Sequence, residues 1–368
     1  MKIHSLEIEN FRNIKNSGKL DFTDNLGRPQ KVKLIVGPNG SGKTSILDAI
    51  QVVVRTLENS KHPELREGLD FSVQQLVRNN NSRIRPSNSK IKFTFSIEKD
   101  EAMAISELFE SDERLKNDAS RIKNALKNED PPIKKATTLT WEYPKRQGEK
   151  EFAITLNPTN SSKVLGARGR LKVAVARHVV SKSMFDRIGG VCYLDQRRNM
   201  MLNKNFYKTN TRINDTPYHN DVLSWLRDFY IKSPTWNEEK SGESYWKRIQ
   251  RLFNKICYPT EVIGLESDED RDTLILKKDG IEYDLLQMSS GEHQILRILV
   301  GLVSERAKNS IVLIDEVELH LHPAWQKRLV HILRDDNESN NQYIFTTHSP
   351  FVKGLFYEDE IIDLGALE

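Results

Sequence analysis

Residues 37–44, GPNGSGKT, place three glycines, a lysine and a threonine at the spacing of a phosphate-binding loop. The glycines let backbone N–H groups curl around a phosphate, and a helix N-terminus adds the positive end of its dipole. Lys43 supplies charge for the outer phosphates, and Thr44 supplies a hydroxyl for Mg²⁺. An apolar run at 32–36 precedes the loop, and a segment of helical spacing follows it. We therefore predict that the loop binds a nucleotide through Asn39, Gly40, Ser41, Gly42, Lys43, Thr44 and Ser45.

A pair of acids, Asp315 and Glu316, directly follows the apolar residues 311–314. A buried parallel strand that ends in acids places carboxylates at the edge of a sheet where metal and phosphate sites form. We expect Asp315 to hold Mg²⁺ through water and Glu316 to polarise the attacking water. An apolar run followed by two acids is a weak signal by itself, so this prediction depends on the other motifs.

A third motif, Ser-Ser-Gly-Glu at 289–292, precedes a helix with apolar periodicity. A serine hydroxyl, a glycine amide and a helix N-terminus together form an anion site, although an ordinary helix N-cap is the alternative. The position favours the anion site, because the serines lie about 25 residues before Asp315. His348 follows a strand pattern 33 residues after Asp315 and completes the set of candidate residues.

Hydrophobic periodicity predicts an α/β chain that holds these residues. Strand patterns precede the phosphate loop, Asp315 and His348, and helical patterns follow them. Between these motifs, five aromatic residues at loosely helical spacing predict a small helical subdomain with an aromatic core: Trp225, Phe229, Trp236, Trp246 and Phe253. A chain of 368 residues fits one large domain or two lobes.

The order of the motifs resembles that of the ABC-type ATPases, in the soluble branch that includes the SMC, RecF and OLD ATPases. The segment IENFRNI at 8–14 is similar to the start of that branch, and 315–329, DEVELHLHPAWQKRL, is similar to the stand-alone, PtuA-like ATPases of prokaryotic phage-defence operons. The resemblance covers about 1–56 and 285–355. The given sequence ends about 20 residues after THSP, so we expect no TOPRIM nuclease of the kind that OLD proteins carry there.

The resemblance implies a P-loop NTPase of ABC type, with a mixed sheet core, an antiparallel β subdomain and an inserted helical lobe. We expect the N-terminal part of the ATPase lobe at 1–199, with the phosphate loop and the β subdomain. A helical insertion is expected at 200–284. The C-terminal part of the lobe, with the Ser-Ser-Gly-Glu motif and the acid pair, is expected at 285–368.

The resemblance also implies a role for each candidate residue. Glu316 is the catalytic base and His348 senses the terminal phosphate, so these two are the expected catalytic residues. ATP and Mg²⁺ are the implied cofactors, and the metal ligands are Thr44, Asp315 and Gln196. Arg12 is expected to reach the phosphates. The motif here reads M-S-S-G-E-H where the family signature has L-S-G-G, which is a departure from the family pattern.

Ser290 and Gly291 form the signature, which in this family meets the terminal phosphate held by a second protomer. The resemblance therefore implies a homodimer with two composite ATP sites, each completed in trans. ATP then acts as a link across the interface, and hydrolysis loosens it. Such a protein is a switch, and slow turnover is expected.

The two histidines His320 and His322, beside Glu318, raise a further alternative. Two histidines at this spacing can ligate zinc. The better interpretation is a turn after the acid pair, with Pro323 opening the next helix.

The basic segment 161–212 contains twelve lysines or arginines and two acids, Asp186 and Asp195, whereas the whole chain has a net charge of +4. The segment could follow a nucleic-acid backbone, or it could be a solvated or partner-binding face. No apolar run approaches the length of a membrane span, so no membrane is expected. Two cysteines without a paired motif, Cys192 and Cys257, indicate reduced thiols in a cytoplasmic protein.

Three functions remain for a switch of this kind. The first is the ATPase of a prokaryotic antiviral system that controls a separate effector, a nuclease or toxin encoded in the same operon. The second is a RecF-like DNA-repair clamp, for which the basic segment is the main argument. The third, the nucleotide-binding subunit of a transporter, fits IENFRNI and THSPF less well.

Overall fold

The computed structural model describes residues 1–59, 88–98, 136–143, 153–157, 189–195, 220–267, 272–304 and 308–365, together with residues 101, 103, 104 and 107. These ranges form two compact units. The first consists of 1–193, 307–315 and 337–368, and the second of 194–306 and 316–336. The α/β prediction is confirmed, whereas the three predicted domain ranges stay a prediction.

The first unit contains an antiparallel sheet of five strands in the order β2-β1-β4-β5-β6. The strands are β1 Lys2–Phe11, β2 Ile14–Asp21, β4 Ser89–Ser96, β5 Thr137–Tyr143 and β6 Ala153–Asn157. One face of β4 is fully buried and carries every second residue: Ile91, Phe93 and Phe95. This alternation is typical of a strand with one face against a core. This is the antiparallel subdomain that the sequence predicts.

A second sheet of the same unit has the order β13-β3-β12-β11-β7. Its strands are β3 Val32–Val36, β7 Val191–Leu194, β11 Ile311–Ile314, β12 Gln342–Thr347 and β13 Ile361–Asp363. The pairs β13–β3, β3–β12 and β12–β11 are parallel. Every residue of β3, β11 and β12 is buried, as expected for parallel strands covered on both faces. The first unit therefore combines an antiparallel sheet with a sheet in which these three pairs are parallel.

Two helices of the first unit border the strand ends, α1 at Lys43–Asn59 and α7 at Pro350–Lys353. Helix α1 packs on β1 and β4 through buried residues such as Ile46, Ile50 and Val53. Their spacing of three and four residues is that of one helix face. The helix is therefore fixed at its start, directly after the phosphate loop.

The second unit carries helices α2 Asn220–Lys232, α3 Glu238–Ser241, α4 Tyr245–Cys257, α5 Ser290–Ser304 and α6 Pro323–Asp335. Rings from α2, α4 and the connection between them form the predicted aromatic core. Arg328 of α6 donates from Nη1 to the carbonyls of Ile256 and Tyr258, at 2.9 Å each. These bonds satisfy carbonyls that the end of α4 leaves open.

A three-stranded antiparallel sheet, β10-β9-β8, corrects the helical prediction for the last part of 200–284. Its strands are β8 Glu261–Ser267, β9 Asp272–Lys278 and β10 Ile281–Asp284. Asp279 and Gly280, at φ +51° and +84°, form the two-residue turn between β9 and β10. An Asp-Gly pair between alternating apolar residues is a strong hairpin signal. The helical prediction rests on the aromatic spacing upstream and takes no account of this pair.

Candidate functional site

The phosphate loop connects the end of β3 to the start of α1. Gly42 has a φ of +97°, and a Cβ atom at this position would lie 2.9 Å from a side-chain carbon of Ile14. Only glycine fits both the left-handed backbone and the close approach. The sequence therefore needs Gly42 for the path of the loop around a ligand, and the β1–β2 turn forms part of its wall.

Lys43 folds back over the loop. Its Nζ donates to the carbonyl oxygens of Gly37 at 2.8 Å and Pro38 at 3.0 Å. Among the described residues, the buried hydroxyl of Ser41 has no hydrogen-bond partner. A charged amine and an unpaired hydroxyl beside a helix N-terminus are the donors that a polyphosphate requires. The loop thus fits the phosphates of a nucleotide.

Asp315, which is 1% exposed, is held by two threonines. Its Oδ2 accepts from Thr44 Oγ1 at 2.9 Å, and its Oδ1 accepts from Thr346 Oγ1 at 2.5 Å. Since β11 and β12 are parallel neighbours, their carboxyl ends meet and bring Asp315 to the edge of the sheet. A carboxylate and a hydroxyl are hard oxygen donors, which suit Mg²⁺.

The β1–β2 turn supplies the other wall of an open cleft of about 360 Å³, lined by Arg12, Asn13, Thr44 and Ser45. Arg12 forms an ion pair with Asp48 of α1. Asn13 donates from Nδ2 to the carbonyl of Gly40 at 2.7 Å, and its Oδ1 accepts from Ser45 Oγ at 2.5 Å. Sequence reasoning missed Asn13, although it directly follows the predicted Arg12.

The Ser-Ser-Gly-Glu motif forms the start of α5 in the second unit. Ser289 and Glu292 cap the helix reciprocally: Ser289 Oγ accepts from the N–H of Glu292 at 3.3 Å, and Glu292 Oε2 accepts from the N–H of Ser289 at 2.7 Å. Ser290 and Gly291 therefore lie in the first turn rather than before it. The N-cap and the anion site are thus compatible, because the capping residue is Ser289.

Glu292 is buried, and its carboxylate accepts four hydrogen bonds. Besides the two from Ser289, Thr260 Oγ1 donates at 3.0 Å and Tyr283 Oη at 2.8 Å. Burial alone would raise the pKa of Glu292, but the bonds from Ser289, Tyr283 and Thr260 outweigh it and lower the pKa. Burial, followed by the contact with this carboxylate, raises the pKa of Tyr283 to about 12. Tyr283 therefore stays a proton donor at neutral pH.

The segment after Asp315 packs on the start of α5. A Cβ atom on Gly291 would lie 2.9 Å from the carbonyl oxygen of His320 and 3.0 Å from the Trp325 ring. Glu316 and His320 have positive φ angles, +47° and +61°. Such angles are rare outside glycine and are enriched at functional sites. The predicted signature and the predicted base thus belong to one packed region of the second unit.

His348 and His322 have different surroundings. His348 is exposed and directly follows β12, as Asp315 follows β11, so both mark the carboxyl edge of the parallel sheet. His322 caps α6, with Nδ1 accepting from the N–H of Ala324 at 3.2 Å. Among the described residues, no group of three or more His, Cys, Asp or Glu is arranged to hold a metal ion. The helix-opening interpretation of His322 thus has a direct structural basis.

Some predicted features lie outside the described residues. Gln196 is one of them, and so is the basic segment 161–212 except for its described part within 189–195. Within the described ranges, no helix has the length and apolar character needed to span a membrane. Cys192 and Cys257 are buried and, within the described ranges, belong to no disulfide; burial raises the pKa of Cys257.

Two family models match the chain. Residues 1–168 match an AAA ATPase domain, and residues 207–352 match an AAA domain described as a putative AbiEii toxin of a type IV toxin–antitoxin system. A retron Vc95 probable ATPase of Vibrio cholerae serotype O1 biovar El Tor is 23% identical over 411 residues, covering 96% of this chain and 72% of that protein.

The chain also resembles a second curated protein over a short segment and a solved structure over nearly its whole length. The Septu protein PtuA of Bacillus thuringiensis is 35% identical over 91 residues, which cover 21% of this chain and 23% of that protein. The crystal structure of an SMC head bound to the C-winged helix domain of ScpA has a TM-score of 0.52 at 17% identity. That match covers 99% of this chain and 94% of the solved one, and it shows a common fold.

Proposed function

We propose that this chain, an ATPase of the AAA class with the fold of the SMC head, uses ATP as a reversible link between two copies of itself. The observation that carries the proposal is the Thr44–Asp315 hydrogen bond beside the phosphate loop. It joins the first turn of α1 to the acid that ends β11, as a magnesium–triphosphate site requires. The same arrangement supports the expectation of ATP and Mg²⁺ as cofactors.

Each residue of the first unit has a defined task in this proposal. Lys43 and the N–H groups of the loop hold the outer phosphates, and Arg12 lies on the wall of the same cleft. Thr44 and Asp315, with Gln196 as a third candidate, would hold Mg²⁺, which supplies charge neutralisation when bound. Thr346 fixes the other oxygen of Asp315 and so sets the direction of the carboxylate.

Hydrolysis needs a base and a group that contacts the transferred phosphate. We assign the base to Glu316, which takes a proton from the attacking water. His348, exposed at the carboxyl edge of the sheet, contacts the terminal phosphate. The strained backbone at Glu316 supports this assignment, because such strain persists where function requires it.

The second copy supplies the signature. Ser290 is exposed in the first turn of α5, where the helix dipole is positive and backbone N–H groups point outward. We propose that this turn completes the ATP site of the partner, so that a two-fold dimer encloses two nucleotides. ATP then closes the dimer and hydrolysis opens it.

We propose that the switch controls a separate effector, a nuclease or toxin, in a cytoplasmic antiviral system. The two relatives named as a retron probable ATPase and as a Septu protein support this role. The alternative, a DNA-repair clamp of RecF type, depends on the basic segment and stays a prediction. The two alternatives differ in whether the ligand of that segment is a protein or a nucleic acid.

Glu316→Gln tests the proposed switch. The variant keeps the phosphate and metal contacts but loses the base, so we expect ATP binding to persist and hydrolysis to fall by roughly 100-fold or more. The trapped dimer is then visible by size-exclusion chromatography with Mg²⁺ and ATP. Glu338→Gln, at an exposed glutamate, is the control and should behave as wild type. A monomeric Glu316→Gln protein with undiminished hydrolysis would contradict the assignment.

A further inference from the structure

The carboxylate of Glu292 joins three parts of the second unit. Thr260 lies directly before β8, Tyr283 lies in β10, and Ser289 caps α5. All three donate to Glu292, at distances from 2.7 to 3.0 Å. The small sheet is therefore bonded to the start of α5 through one buried side chain.

The hydrogen bonds at this carboxylate leave a defined set of groups for a ligand. The capping bonds engage the N–H of Ser289 and the N–H of Glu292. In an α-helix the N–H groups of the first turn have no partner within the helix. Those of Ser290 and Gly291, with the Ser290 hydroxyl, are therefore the donors that the turn can offer to a phosphate.

We propose that Glu292, Tyr283 and Thr260 are positioning residues that fix the signature serine Ser290 for catalysis in the partner's ATP site. The inference rests on the proposed composite site. A helix turn that is bonded on one side to a sheet and packed on the other against His320 and Trp325 has little freedom to rotate. Such preorganisation lowers the barrier, because the donors need no rearrangement when the phosphate becomes more negative.

Glu292 accepts more hydrogen bonds than a helix cap requires. Ser289 and Glu292 already complete the capping box, so the cap needs neither Tyr283 nor Thr260. Tyr283 lies in β10, nine residues away, and its hydroxyl ends on the carboxylate rather than in solvent. The additional donors therefore fix the direction of the turn relative to the sheet, which a cap alone does not.

The first test separates turnover from nucleotide binding. Tyr283→Phe removes one donor, and Glu292→Gln removes the charge that all the donors share. We expect unchanged affinity of the full chain for a fluorescent ATP analogue and a kcat lower by about 10-fold and 100-fold, respectively. Glu282→Gln is the matched control, since Glu282 is an exposed neighbour on β10. A kcat within twofold of that control for both variants overturns the proposal.

The second test uses mixed dimers, in which either variant is combined with Lys43→Ala. One composite site then carries both lesions and the other carries none, so we expect activity to return. Damage to the fold of the variant chain would impair both sites and prevent the recovery. The mixture of Ser290→Arg with Lys43→Ala is the control for the trans site itself.

The outcomes are distinguishable. Recovery in the Ser290→Arg mixture but not in the Glu292→Gln or Tyr283→Phe mixtures overturns the positioning role and leaves the composite site standing. Failure of all mixtures, with heterodimers demonstrated by mass photometry, overturns the composite site and the inference with it. Recovery in every mixture, with unchanged ATP affinity, is the result that we expect.

Discussion

Asn13 links two parts of the phosphate loop that the sequence separates. Its amide nitrogen binds the carbonyl of Gly40 and its oxygen binds the hydroxyl of Ser45, while Ile14 fills the space beside Gly42. The β1–β2 turn therefore acts as a template for the shape of the loop. A template of this kind lowers the cost of ordering the loop around the phosphates.

At this scale we expect Asn13→Ala to weaken ATP binding. A hydrogen bond of this type contributes about 1 kcal/mol, so the Kd for ATP should rise roughly fivefold. Titration of the purified chain with ATP by calorimetry measures the change. Asn16→Ala is the control, because Asn16 is an exposed residue of β2 whose Oδ1 accepts from the nearby N–H of Gly18. An unchanged Kd for Asn13→Ala would show that the loop holds its shape without the template.

At the scale of elements, the start of α5 depends on a charged side chain inside the unit. The folded-state pKa of Glu292 lies below its ordinary value of 4.5. Ionisation of Glu292 therefore stabilises the fold above the unfolded-state pKa, and this contribution is lost as the pH falls through the folded-state pKa. Glu292→Gln has no such pH dependence at this position.

We expect the free energy of unfolding of Glu292→Gln to lie below that of the wild type by about 1–3 kcal/mol at neutral pH. This difference should shrink as the pH falls below 4.5, the ordinary value for glutamate. Urea unfolding followed by tryptophan fluorescence at several pH values measures it. Glu282→Gln should stay within about 0.5 kcal/mol of the wild type throughout. A difference that is constant with pH would mean that shape rather than charge matters at residue 292.

Some helices and strands could be predicted from the sequence, and others could not. The helix expected to open at Pro323 and the strand expected before His348 agree with α6 and β12, because strong periodicity and a proline at the helix start determine them. The β8–β10 sheet was not predicted, since helical aromatic spacing upstream dominated the interpretation. The bonds of Thr260, Tyr283 and Asn13 join residues whose proximity depends on tertiary folding, and no local pattern predicts them.

At the scale of the whole molecule, the basic segment decides between the two proposed roles. By sequence, Arg168, Arg170 and Lys172 alternate with other residues, which predicts one charged face. These residues lie outside the described part of the chain. A charged face of this kind meets phosphate or an acidic protein surface.

We expect reversal of all three residues to glutamate to leave ATP hydrolysis unchanged, because exposed charges contribute little to stability. In the antiviral role, the variant no longer co-purifies with the effector from the same operon, and wild-type protein does not bind duplex DNA. In the repair role, DNA binding falls and its salt slope shrinks by roughly one unit per lost phosphate contact. If the variant behaves as the wild type in both assays, the segment binds neither the effector nor DNA and is a solvated face.

The strand order of the parallel sheet has a consequence for how the protein is made. The strand that leads into the phosphate loop, β3, lies between β12 and β13, so both of its partners come from 342–363. During synthesis on a ribosome the loop thus emerges early, but its strand pairs only after those residues have been translated. Until then the apolar β3 segment is an open edge that chaperones can bind. The nascent chain therefore completes its nucleotide site only after 342–363 have been translated, however early the loop itself is made.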